Sequence, residues 1–167
     1  MKHIVLLAAL GGAMLLPPGI ASAQTEGTSD HQAKVTDLEI NLMRRDLRDQ
    51  KKQVIAANLP LTGDEAAKFW PVYDAYTQEM IKINDRRYAL LKEYAANYST
   101  LTDEQASNYI RRWNQLDADL TNLRLEWIPK FEQVLGPKKA AAFSQIDRRI
   151  GLMIELQASS QIPLVQP

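Results

Sequence analysis

Residues 61–76 read LTGDEAAKFWPVYDAY, and this stretch decides the fold. Thr62 is a good helix N-cap. Glu65, three residues on, can return a hydrogen bond to the Thr62 backbone, which makes a capping box. Asp64 and Glu65 also suit the positive end of the helix dipole. From there a seam recurs three and four residues apart: Ala66, Phe69, Tyr73, Tyr76, Met80, Ile83, Arg87, Leu90 and Tyr94. That spacing predicts one long helix ending near Tyr98, roughly 55 Å at 1.5 Å per residue. Pro71 lies inside it and predicts a bend rather than an end.

Working outward, Leu101-Thr102-Asp103-Glu104-Gln105 repeats the pattern, with Thr102 and Gln105 as a second capping box. Its seam runs through Ala106, Tyr109, Trp113, Leu116, Leu120, Leu123, Trp127 and Val134. Pro129 predicts a second kink. Gly136-Pro137 stops this helix and opens the next, which runs to about Gln157 with Phe143, Ile146, Ile150 and Met153 on its seam. Upstream, about Lys34 to Asn58 forms a first helix. Its seam is Ile40, Met43, Leu47, Gln50 and Val54, widened by Val35, Leu38 and Leu42. Leu59-Pro60 ends it, since the residue before proline is pushed out of the helical region.

The expected class is therefore all-α: an elongated four-helix antiparallel hairpin over residues 34–157, with a flexible tail at 158–167. Helices of more than 30 residues are long for a compact bundle of this size. They predict that remaining apolar surface is buried against a second copy, a cradle-shaped homodimer. The aromatic set at helical spacing, including Trp70, Phe131 and Phe143, reads as core and dimer seam.

The first 23 residues read as an export signal rather than as fold. Lys2 gives a positive start, and Ile4 to Leu16 is an apolar run of 13 residues, short of the roughly 20 needed to span a bilayer. Pro17-Pro18-Gly19 follow, and Ala21-Ser22-Ala23 has the small-x-small form of a cleavage site. An uncleaved anchor is the alternative. Cleavage after Ala23 takes 23 residues from 167 and leaves 144, beginning with a polar, flexible leader at 24–33. The mature chain keeps 20 acidic residues and loses only Lys2 among the 20 basic ones, a net charge of −1. No membrane span is expected after cleavage.

Composition excludes several function classes. Zero cysteines remove disulfides, thiolate metal sites and thiol nucleophiles. The balanced charge argues against nucleic acid as partner. Outside the export segment the sole histidine is His31, in the leader, so no metal site, no Ser/His/Asp set and no cofactor is expected. No Walker loop, dinucleotide fingerprint or Gly-x-Ser-x-Gly occurs. The chain reads as no enzyme.

Arginine doublets are the unusual feature: Arg44-Arg45, Arg86-Arg87, Arg111-Arg112 and Arg148-Arg149, one on each helix. On helix one, Arg44, Arg48 and Lys51 share a face beside the seam, flanked by Arg45 and Lys52. Such runs form either a solvated, salt-paired surface or a surface that holds flexible chains by charge and aliphatic stem. The second reading makes Arg44, Arg48, Lys51, Lys52 and Arg87 candidate client-binding residues. Arg87 lies on the seam itself, so it either pairs in the interior or marks where the seam opens to water.

Leu101-Thr102-Asp103-Glu104-Gln105 also fits the Leu-Thr-x-x-Gln motif of the Spy/CpxP family of periplasmic proteins. Leu61, Thr62 and Glu65 look like a second copy with Glu for Gln, and the similarity spans roughly Val35 to Leu156. The resemblance implies a thin helical hairpin that dimerises into a cradle. It implies a periplasmic, ATP-independent chaperone that binds unfolded polypeptide during envelope stress. Alternatively, it implies a regulatory subunit that docks on the periplasmic domain of a stress or metal sensor kinase.

Overall fold

The computed structural model describes residues 25–160, 162, 164 and 165, with side chains from Ile40 onward. The expected export signal lies outside the described residues. Four helices follow in order: α1 (Thr25–Asn58), α2 (Gly63–Asn97), α3 (Asp103–Leu135) and α4 (Pro137–Ser159). Among the described residues there is no strand, so the all-α class stands. The chain divides into two compact units, Met1–Arg45 and Asp46–Pro167.

Both capping boxes form. The Thr62 N–H donates to Glu65 Oε2 at 2.8 Å and the Glu65 N–H donates back to Thr62 Oγ1 at 3.3 Å. At the second box the corresponding distances are 2.9 and 3.3 Å, through Thr102 and Gln105. Each box satisfies donors that a helix start leaves without intrahelical partners. Leu61 and Leu101, which precede the caps, are half-buried. The helices run through Pro71 and Pro129. Gly136 closes α3 and opens α4 at φ +73°, a region glycine occupies cheaply, with Pro137 at the first helical position.

Within the second unit α2 and α3 pair antiparallel. Phe69 meets Phe131, Tyr76 meets Trp127, and Tyr94 stacks on Tyr109 with ring centres 4.5 Å apart. Helix α4 returns along α3, bringing Phe143 to within 4.4 Å of Phe131. It therefore runs parallel to α2, and Lys139 near its start pairs with Glu65 near the start of α2 at 2.6 Å. The core is an aromatic cluster of Phe69, Tyr73, Tyr76, Trp127, Phe131 and Phe143, sealed by Ile55 and Leu59 from the end of α1.

The α2 seam matches the expectation: Phe69, Tyr73, Tyr76, Ile83, Leu90 and Tyr94 are buried. The flanking helices differ from it. Leu47 and Val54 of α1 are exposed, and the residues of α1 that point inward are Lys51 and Ile55. On α4 Met153 is exposed, while Ala140, Phe143, Asp147 and Ile150 are buried. Each inward set includes a charged residue that an apolar count skips, Lys51 on α1 and Asp147 on α4, and the two pair. In the first unit Leu42 and Met43 are also exposed. Helix α1 starts at Thr25 rather than near Lys34, so the polar residues 25–33 are helical. Extending an existing helix costs far less than nucleating one.

Candidate functional site

Lys51 and Arg87 belong to the bundle's internal ion pairs, and Lys52 pairs on its surface. Lys51 Nζ lies 2.6 Å from Asp147 Oδ1, with the two side chains 13 and 5 % exposed. The contact is an ion pair rather than an aligned hydrogen bond. Tyr76 Oη donates to the other carboxylate oxygen at 3.2 Å. Burial pushes the Tyr76 hydroxyl well above the usual phenol range, the Asp147 charge adds to this, and Arg124 opposes it. A buried carboxylate held by an ammonium and a phenol is a paired charge, which the interior tolerates.

Arg87 occupies the seam position that sequence left between two readings, and it pairs inside. Its guanidinium meets Asp117 across the α2–α3 seam, lies 3.9 Å from Glu155 of α4, and sits 5.1 Å from the centre of the Trp113 ring. Its side chain is 15 % exposed. Lys52 pairs with Asp74 at 2.7 Å and lies 5.1 Å from the Trp70 ring centre, but remains partly in water. Arg48 is half-buried. Arg44 is half-buried in the first unit, and it too has an interaction partner. The structure thus turns Lys51 and Arg87 inward and brings Lys52 onto the α2 surface.

Further pairs brace the surface. Arg86 meets Asp119 at 2.7 Å, and Arg112 is bidentate to Glu93 at 2.8 Å. Gln115 first, then Arg86, holds the Asp119 carboxyl below its ordinary value. Lys139, then the Thr62 N–H, does the same for Glu65. Burial raises Tyr73 to about 12 and raises Tyr109 as well.

The sequence reading passed over a second arginine-bearing face. On α4, Arg148, Leu152 and Leu156 follow at successive four-residue steps, with Arg149 and Met153 beside them. Met153 is 63 % exposed and Leu156 is 73 % exposed. These are large aliphatic groups in water next to cations. The signal was available in the Arg148-Arg149 doublet, but the seam assignment had placed Met153 in the core.

Among the described residues no three His, Cys, Asp or Glu side chains gather as metal ligands. Among them, too, no helix is long and apolar enough to cross a membrane. Neither a family model, nor a curated protein, nor a solved structure matches the chain.

Proposed function

We propose that the protein is a periplasmic, ATP-independent chaperone-like protein that binds unfolded polypeptides and works as a homodimer. The observation that carries this reading is the α4 face, where Arg148 and Arg149 lead into exposed Leu152, Met153 and Leu156. Exposed apolar groups of this size mark interaction surfaces. The cations speed encounter with flexible chains, and the aliphatic groups hold them by removing apolar area from water. Arginine contributes to both, through its charge and its stem. In this reading the second copy covers Leu47 and Val54 of α1. The protein has the paired, capped interior of a rigid scaffold, which leaves the surface residues to carry binding.

The test is suppression of light scattering by an unfolded client at equimolar protein. Leu152→Ser/Leu156→Ser should weaken suppression while leaving helix content unchanged. No suppression by the unaltered protein would sink the proposal. Crosslinking in the envelope gives the second arm: a spread of clients supports it. One dominant membrane partner would instead assign a regulatory subunit docking on a sensor kinase.

A further inference from the structure

A groove of about 420 Å³ opens between α3 and α4. The rings of Tyr76, Phe131 and Phe143 form its buried floor, and Ile128 lines its side. Arg124, Arg148 and Arg149 line it as well. Among the described residues none of these three arginines forms an ion pair, unlike Arg86, Arg87 and Arg112. Arg124 Nε is buried and lacks a hydrogen-bond acceptor. The one carboxylate in the lining, Asp147, is already paired with Lys51. The groove therefore joins an aromatic floor to three cations that stand outside the bundle's ion pairs.

We propose that this groove binds a long-chain fatty acid, with its carboxylate at Arg124, Arg148 and Arg149 and its alkyl chain along the rings. This goes beyond polypeptide binding: it shares Arg148 and Arg149 with the proposed client face but rests on the groove's own lining. Guanidinium groups present forked donors that match a carboxylate. Ligand sites of this size are mostly apolar with a few placed polar groups, as here. The lining also argues against a peptide. Buried peptide N–H groups need acceptors, and the neutral polar side chains lining the groove are Ser144, Gln145 and Tyr76, whose hydroxyl is engaged by Asp147. An alkyl chain asks for none.

The test is calorimetric titration of the purified protein with myristate, kept below its micelle-forming concentration. One saturable site is expected. Arg148→Gln/Arg149→Gln should weaken it by about tenfold, the scale of one charge-assisted hydrogen bond lost at a half-open site. Both side chains are exposed, so this variant should keep the parent's unfolding midpoint. Arg124→Gln should weaken binding further. Tetradecanol, which lacks the charge, should bind more weakly than myristate and equally to parent and double variant. Absence of a saturable site, or an unchanged affinity in the double variant, overturns the proposal. So does a peptide ending in phenylalanine that binds more tightly than myristate, which would assign the groove to chain termini.

Discussion

Replacing Lys51 by methionine keeps the aliphatic stem and removes the ammonium. The change strands the Asp147 carboxylate, whose side chain is 5 % exposed, against the aromatic cluster. Water reaches it poorly, and its surviving donor is the Tyr76 hydroxyl at 3.2 Å. Removing one partner of a buried pair costs about 3–5 kcal/mol. The Tyr76 hydrogen bond holds this case to the lower end, about 3 kcal/mol. The double variants locate the cost. Lys51→Met/Asp147→Leu should return to within about 1 kcal/mol of the parent, since both charges leave together. Lys51→Met/Asp147→Asn should recover less, because an amide still needs partners there. The assay is urea unfolding at pH 7 followed by helix circular dichroism; the parent, Lys51→Met, Asp147→Leu and Lys51→Met/Asp147→Leu close a cycle around the pair. A Lys51→Met cost below about 1 kcal/mol, or double variants no more stable than the single, would refute the reasoning. Asp147 would then not be a buried charge that depends on Lys51.

The capping boxes should behave alike toward truncation and differently toward acid. Thr62→Ala and Thr102→Ala should each cost about 1 kcal/mol, read from urea midpoints. The lowered Glu65 carboxyl contributes stability above its ordinary value of 4.5 and loses it as pH falls further, so Glu65→Gln should flatten the acid limb; Gln105 does not titrate. Burial raises Tyr73 from 10 to about 12, so its neutral form stabilises the fold below pH 10, and that contribution drains away as pH rises toward 12. Midpoints measured from pH 9 to 12 should fall less steeply in Tyr73→Phe than in the parent.

Most of the architecture was legible because it rests on local rules. Thr62 and Thr102 announce their helices through side chains that reach only three residues, and Gly136-Pro137 marks a break by backbone preference alone. The α2 seam was legible because apolar rings at helical spacing bury themselves wherever the partner lies. What could not be read were positions whose burial depends on a residue nearly a hundred places away. Lys51 looks like surface charge until Asp147 stands opposite, and Asp147 looks like surface charge until Lys51 does. Asp147 takes an inward position on α4 that an apolar count skips, and Met153 lies outward on the exposed face. Arg87 was legible as a question, since a cation on a seam demands a partner. Only the fold could say that Asp117 answers it.

Arg87 also bears on how the two long helices find one alignment. Their facing surfaces are rich in aromatic and aliphatic groups of similar bulk, and such surfaces can slide past each other by whole turns at little cost. A slip carries Arg87 away from Asp117, Trp113 and Glu155 and sets it against neighbours such as Leu120 or Tyr109. A desolvated guanidinium without an anion is expensive. One polar residue in an otherwise greasy stripe therefore acts as a detent. It adds little to the depth of the native minimum and raises the floor of the misaligned ones.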